Sequence, residues 1–215
     1  MRRRSSRVRS PSRPLWRKCY RRCRLPRGSL EREPIFRKEG AMGVNNVSTE
    51  AVMAFVADVQ RDPQAAKKRK RVEGEWVLEE GRPQFRARLE YPSGADVVEA
   101  DGAPFMGGGG RKPDPIQYCL YGLASCFAGT FATLAAMEGI ALKKLVVAAE
   151  NRVDLSRTLG LSSNPIVEGV EITVTVSADA PREKLQEIER LARERCPGVY
   201  CITNPIPLTT SLVIE

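Results

Sequence analysis

The 215-residue sequence contains no histidine. Histidine is the most common base beside a catalytic serine or cysteine, and it is the most common metal ligand. Its absence excludes Ser-His-Asp triads, Cys-His nucleophile pairs and histidine-containing zinc sites. Six cysteines are present, and without histidine a reactive thiolate needs an arginine or lysine as its cation. If the chain performs chemistry at a nucleophile, sulfur is the leading candidate.

Long apolar segments are also missing from the sequence. No run reaches the length of about 18 apolar residues that is typical of a transmembrane helix. The basic N-terminal region is not followed by the apolar stretch of about 7 to 15 residues that a secretory signal carries. Cysteines in a chain without such a signal indicate reduced thiols. The sequence therefore predicts a cytoplasmic protein that does not interact with a membrane.

Positive charge is concentrated in residues 1–41, which hold 15 of the 35 lysines and arginines and 3 of the 26 acidic residues. Repeated Arg, Ser and Pro without an apolar face predict a disordered arm. Three interpretations stay open: a polyanion-binding tail, a targeting segment, or upstream sequence before a true start at Met42. Binding of nucleic acid is expected only through residues 1–41, if at all.

Residues 42–71 are predicted to form a lead-in helix and a basic linker. Ser48 is a typical N-cap, apolar residues follow at helical spacing, and the helix is expected to end near Asp62 and Pro63. The run KKRKR at 67–71 is interpreted as a solvated group of charges.

Residues 72–215 are predicted to form one α+β domain. Period-two patterns predict three antiparallel strands between 72 and 100, and a glycine-rich loop at 102–115 is interpreted as a flexible lid or linker. A long apolar helix, capped by Asp114 and started by Pro115, reaches Gly139 and must be buried in the core or at a subunit interface. Two strands lie within 142–179. Asp179 is expected to cap a second amphipathic helix, and 207–215 is a closing strand.

Four cysteines of this domain lie near predicted helices. Cys126 lies in the middle of the apolar helix, where a thiol by itself is usually a small packing residue. Cys119 is on the same helical face two turns earlier, too far away for an easy disulfide. Cys196, next to Pro197 at a helix end, is expected to be partly accessible. Cys201 follows in a loop or at a strand start.

Three arginines of the first hairpin, Arg82, Arg86 and Arg88, are candidates for the cation that stabilises a thiolate.

Three segments carry a resemblance to a known family: DPIQYCLYGLASCFAGTF, GVEITVTVSADAPREKLQEIERLARERCP and TNPIPL. Together they resemble the OsmC/Ohr family of thiol-dependent hydroperoxide reductases, over roughly residues 72–215. The resemblance implies an OsmC-like α+β fold with antiparallel sheets packed around a long buried central helix. It also implies an intertwined homodimer with an active site at each subunit interface.

The resemblance further implies roles for individual residues. Cys126 matches the cysteine that attacks the peroxide, and Cys196 matches the resolving cysteine that forms a disulfide with it. Arg82 best matches the arginine that holds the thiolate, and Arg86 is the fallback. No cofactor and no metal are implied. The implied substrate is an organic hydroperoxide, and the implied reductant of the two cysteines is a dithiol of the lipoyl or thioredoxin type. The resemblance thus implies a peroxiredoxin-like enzyme in the defence against oxidative stress.

The sequence departs from the family at Ile116, where the family places a glutamate that pairs with the arginine. Asp114 and Glu90 are the alternatives for this carboxylate, and the sequence does not decide between them. The loss favours a second interpretation: a non-catalytic, dimeric binding or redox-sensing protein. Retention of both key cysteines favours the peroxidase.

Overall fold

A computed structural model of the chain describes residues 43–214. The predictions for the basic arm and for a start at Met42 lie outside this range. Within it the elements follow one another as four helices and five strands, with short 3₁₀ turns at Pro63–Ala66 and Pro104–Met106. In chain order they are α1 (Thr49–Arg61), β1 (Gly74–Trp76), β2 (Phe85–Tyr91), β3 (Gly94–Ala100), α2 (Pro115–Met137), β4 (Leu142–Val153), β5 (Val167–Ala178), α3 (Arg182–Arg195) and α4 (Pro197–Thr203).

The strands form two separate antiparallel sheets. β1, β2 and β3 form a meander in which Trp76 pairs with Phe85 and Phe85 with Ala100. β4 and β5 form a long two-stranded hairpin that begins at the pair Leu142 and Ala178. The observed β1 is shorter than the predicted strand. The α+β class and the predicted order of these elements are confirmed.

The core forms where one face of α2 meets α3, α4 and the β4–β5 hairpin. Leu123, Phe127, Phe131 and Ala135 are spaced four residues apart, so they project from the same side of the helix. Phe127 and Phe131 are 2% and 0% exposed, and burial of each contributes about 1.5–3 kcal/mol to stability. α3 contributes its apolar face, of which Ile188 is the largest buried side chain.

The opposite face of α2 is less covered than the sequence predicts for such an apolar helix. Tyr121 is 71% exposed and Ile116 is 39% exposed. α2 is also the one helix within residues 43–214 that is long and apolar enough to cross a membrane, and 28% of the tested window is buried. Core helices of globular domains meet the same criterion, and α2 supplies the core here. The uncovered face is an apolar surface without a partner in the described chain.

The structure corrects two predictions about the C-terminal region. Asp179 does not cap α3: its carboxylate pairs with Lys143, and Pro181 occupies the N-cap position. The closing strand at 207–215 is absent in the described part, because residues 205–214 have no regular secondary structure. A strand needs a neighbouring edge for its hydrogen bonds, and prolines in this segment lack the donor N–H.

The glycine-rich loop is organised around Asp101, which is buried, and is not the flexible lid that the sequence suggests. The backbone N–H groups of Gly109 and Arg111 donate to the Asp101 carboxylate at 3.2 and 2.9 Å. Gln84 joins the loop to β2, since its side chain accepts from Gly102 and donates to Gly107. The N–H of Arg111 is the main cause of a lowered pKa of Asp101. A loop held by these hydrogen bonds fixes the approach to α2.

Asn45 connects the segment before α1 to the core. It lies with Asn46 in a turn where both residues have positive φ, near +60°, a conformation that asparagine tolerates. Its side-chain amide donates to Ile140 at 2.9 Å, and its oxygen accepts from the N–H of Leu142 at 2.7 Å. The side chain thereby satisfies backbone groups between α2 and β4.

We expect Asn45→Ala to lower the free energy of unfolding by about 2 kcal/mol, at roughly 1 kcal/mol for each lost hydrogen bond. The midpoint of urea unfolding measures this change. Asn46→Ala is the matched control, because Asn46 has the same backbone conformation, is exposed, and makes no side-chain hydrogen bond within residues 43–214. Equal loss of stability in both variants would contradict the role of Asn45.

Candidate functional site

The site forms where α4 crosses α2 at Cys126. A Cβ atom placed on Gly198 would lie 3.3 Å from the Cβ of Cys126 and 3.6 Å from its Sγ. It would also lie 3.3 Å from Leu123. Glycine therefore allows the α4 backbone to approach α2 this closely, and a larger residue would require the neighbouring atoms of Leu123 and Cys126 to move.

Cys196 lies beside Cys126, because it joins α3 to α4 and its side chain enters the core against α2. Cys126 packs against the cluster that contains Cys196, and the side chain of Cys196 helps to raise the pKa of the Cys126 thiol. Cys196 is only 1% exposed, so the expected partial accessibility is wrong. It is both the C-cap of α3 and the N-cap of α4, with Pro197 at the first helical position. Because α4 begins directly after the C-cap of α3, the thiol of Cys196 is buried in the core.

Burial raises the pKa of the Cys126 thiol above its ordinary value, because the charged thiolate loses water. The backbone N–H of Gly198 acts in the opposite direction, since it donates to the thiolate. The hydrogen bond to Cys196 and the nearby charges of Cys196 and Cys201 raise the pKa further. In a single chain Cys126 is therefore a weaker acid than an ordinary thiol, and a smaller fraction of it is ionised at neutral pH.

The candidate arginines belong to the three-stranded sheet and do not contact Cys126 within residues 43–214 of one chain. Arg82 lies in the turn after β1, on a groove of about 390 Å³ that it shares with Arg111. Arg86 is on β2, and its guanidinium lies 2.6 Å from the Glu75 carboxylate. Within residues 43–214 of one chain, the fold therefore places the two cysteines next to each other. It does not place the arginines in contact with Cys126.

Neither proposed substitute for the missing glutamate is free. The Asp114 carboxylate accepts from the N–H groups of Ile116 and Gln117 as the cap of α2, as the sequence predicts. Glu90 is exposed and lies 3.6 Å from Arg88. Each carboxylate already has a local partner in the chain.

Sequence reasoning missed two residues of the site. Gly198 follows the Cys-Pro pair directly, and a glycine near a helix start beside a candidate cysteine was the available signal. Cys201 was placed in a loop or at a strand start, whereas it lies in α4, where it is exposed. No group of three or more residues able to hold a metal ion is found among residues 43–214.

Several solved structures are similar to this chain. An organic hydroperoxide resistance protein, OsmC, from Legionella pneumophila is 18% identical, with a TM-score of 0.47, over 64% of this chain and 92% of that protein. An OsmC-like protein from Mycoplasma pneumoniae is 16% identical, with a TM-score of 0.45, over 63% and 89%. An organic hydroperoxide resistance protein of Bacillus subtilis is 20% identical, with a TM-score of 0.37, over 62% and 91%. A search of curated proteins finds no match.

The fold and the site together define a class: an α+β domain that holds two thiols between a long helix and a helix junction. Residues 107–211, which include α2 to α4 and both thiols, match the family described as OsmC-like protein. This segment is therefore an OsmC-like domain. The resemblance seen in the sequence is confirmed.

We expect Gly198→Val to slow formation of a Cys126–Cys196 disulfide by about tenfold or more, because a disulfide requires Cβ atoms about 3.5–4.5 Å apart. The rate is measured with the thiol oxidant diamide and peptide mapping. Gly169→Val is the control, since a Cβ there meets no atom within 4 Å. An unchanged rate in Gly198→Val would show that the close approach does not control the thiol pair.

Proposed function

We propose that the chain reduces organic hydroperoxides with Cys126 as the attacking thiol and Cys196 as the resolving thiol. The single observation that carries this proposal is the packing of Cys126 against the core cluster that contains Cys196, between α2 and the α3–α4 junction. Two cysteines that only fill space in the core do not need to be neighbours. A peroxidase needs this arrangement, because the second thiol must reach the first without unfolding.

The reaction balances with these two residues and an external dithiol. The Cys126 thiolate attacks one oxygen of ROOH, the O–O bond breaks, and the alkoxide leaves and takes up a proton as the alcohol. Cys126 is then a sulfenic acid. The Cys196 thiolate attacks its sulfur, water leaves, and a disulfide forms. A dithiol of the lipoyl or thioredoxin type reduces this disulfide and is itself oxidised.

Burial raises the pKa of the Cys126 thiol, so its thiolate needs a nearby cation to form at neutral pH. We place this cation in a second copy of the chain, in a homodimer whose sheet brings Arg82 to the partner's thiol. Arg86 is the fallback, although its ion pair with Glu75 competes for the guanidinium. Because Ile116 replaces the family carboxylate, the arginine has one partner fewer to orient it.

The homodimer is supported by apolar surface that the described chain leaves uncovered. The segment after α4 exposes large side chains almost completely: Leu208 is 88% exposed and Leu212 is 85% exposed. The outer face of α2 adds Tyr121. Exposed apolar surface of this extent marks an interaction site in a folded protein. A second copy covers α2 and pairs with the segment after α4.

The substrate class is suggested by a groove of about 440 Å³ between β5, α3 and α4. Its lining includes Phe127, the neighbour of Cys126, together with Ile172 and Val199, and the charged residues Glu171, Glu189 and Arg193 at the same groove. The apolar part of this lining favours a hydroperoxide with an alkyl or aryl group over hydrogen peroxide. We place the reaction in the cytoplasm, where dithiol reductants keep thiols reduced.

The second candidate function is that of a non-catalytic binding or redox-sensing dimer, which Ile116 favours. In a sensor the same thiol pair is oxidised slowly and is not turned over. The rate of reaction with hydroperoxide distinguishes the two functions.

We expect one equivalent of cumene hydroperoxide to convert the reduced protein to a Cys126–Cys196 disulfide, observed by peptide mass spectrometry. Cys126→Ser abolishes the reaction, and Cys196→Ser stops the protein before this disulfide forms. Cys119→Ser is the control, because Cys119 is an exposed cysteine of the same helix. Intact thiols after treatment of the unaltered chain would reject the peroxidase, and a disulfide that forms only over hours would favour the sensor.

A second experiment tests whether Arg82 acts on the partner's thiol. We expect Arg82→Ala to lower peroxidase activity by about 10²-fold, as loss of one charge-stabilising donor does in other enzymes. Co-expression with Cys126→Ser chains is expected to restore about a quarter of the activity, because half of the dimers then contain one intact site. No recovery would place the arginine in the same chain as its thiol. The same pairing with Arg86→Ala tests the fallback, and Arg190→Ala, an exposed arginine of α3, is the control.

A further inference from the structure

Cys201 is a third thiol beside the pair, and the mechanism above does not use it. It lies on α4 three residues after Gly198, the residue that contacts Cys126. Residues three apart on a helix share a face, with Cβ atoms about 5–6 Å apart. Cys201 therefore lies one turn along the same contact with α2. Its charge also acts on Cys126, which agrees with this proximity.

The two neighbours of Cys126 differ in their access to solvent. Cys196 is 1% exposed, whereas Cys201 is exposed. Disulfide exchange requires that the attacking thiol reach a sulfur atom of the bond. A disulfide between Cys126 and Cys196 has one sulfur enclosed in the core and the other half-buried, so a protein reductant approaches it poorly.

We propose that Cys201 is a relay thiol, which takes over the disulfide of Cys126 from Cys196 and presents it to the dithiol reductant at the surface. This inference rests on the proposed function of the pair. It assigns a role to a residue that neither oxidation nor resolution requires.

The relay step is an exchange without net oxidation. The Cys201 thiolate attacks the Sγ of Cys126, a Cys126–Cys201 bond forms, and the bond to Cys196 breaks. The Cys196 sulfur leaves with the electron pair and takes up the proton that Cys201 has released. The external dithiol then attacks the Cys201 sulfur, Cys126 leaves as a thiol, and a mixed disulfide of Cys201 and the reductant forms. The second thiol of the reductant attacks its own sulfur in this mixed disulfide, which closes the disulfide of the reductant and releases Cys201 as a thiol.

The geometry selects Cys126, and not Cys196, as the partner of Cys201. Cys196 is the N-cap of α4, five residues before Cys201. Five residues of helix rise about 7.5 Å, which exceeds the Cα separation of about 7 Å that a disulfide spans. A bond between Cys196 and Cys201 would unwind α4, whereas Cys126 faces α4 from the neighbouring helix.

The test uses the full chain and two ways of oxidation. Cumene hydroperoxide oxidises Cys126 through the proposed activity, and diamide oxidises the thiols without it. In Cys196→Ser treated with diamide, we expect Cys201 to capture Cys126 as a Cys126–Cys201 disulfide. In the unaltered chain we expect both disulfides, Cys126–Cys196 first and Cys126–Cys201 later. Absence of the Cys126–Cys201 disulfide from both proteins would overturn the relay.

Reduction provides the second readout. In Cys201→Ser, we expect the Cys126–Cys196 disulfide still to form but to be reduced by thioredoxin on the order of tenfold more slowly than in the unaltered chain. Dithiothreitol, which is small, should discriminate less between the two proteins. Cys119→Ser, an exposed cysteine of α2, should behave as the unaltered chain does. Equal reduction of Cys201→Ser and the unaltered chain by thioredoxin would overturn the proposal.

The two oxidants separate failure of the relay from failure of the proposed function. If the chain does not react with cumene hydroperoxide but forms the Cys126–Cys201 disulfide with diamide, the result contradicts the peroxidase and supports the relay. A chain that reacts with hydroperoxide and is reduced equally well without Cys201 supports the peroxidase and contradicts the relay.

Discussion

The contact between α2 and α4 at Gly198 is the constraint on which the site depends. Glycine lets the α4 backbone pack closely against Cys126, and the residue two positions before this glycine, Cys196, lies in the core cluster against which Cys126 packs. Phe127 and Phe131 of α2 stabilise this contact, because they pack in the same core cluster as residues of α3 and α4. The residues that stabilise the domain therefore also position the two sulfur atoms.

The features predicted best from the sequence depend on neighbours along the chain. Ser48 and Asp114 are N-caps as predicted, because a cap requires only a side chain and the next two or three N–H groups. The period-two patterns give β2, β3, β4 and β5, because each hairpin pairs segments close in sequence. Cys126 could be placed on α2 for the same reason.

The features predicted poorly depend on contacts between distant segments. Cys196 was expected to be accessible because it ends a helix, but α4 begins at the next residue and turns the thiol into the core. The glycine-rich loop was expected to be flexible because no local pattern shows that Asp101 receives its N–H groups. The segment 207–215 has a strand pattern, but a strand forms only where an edge is available, and the described chain provides none there. The position of the arginines relative to the thiols also depends on contacts between distant segments, so no local sequence pattern predicts it.

The Asp101 carboxylate has a consequence for how the domain responds to acid. Its pKa is lowered by the N–H of Arg111 and by its other donors, so its stabilising effect is complete above the unfolded value of about 3.9 and is lost only as the pH falls through the lower folded value. The carboxylate that organises the loop between the three-stranded sheet and α2 therefore stays ionised in mild acid. Because the chain contains no histidine, it lacks the side chain whose ordinary pKa is about 6.5 and which most often changes charge in mild acid.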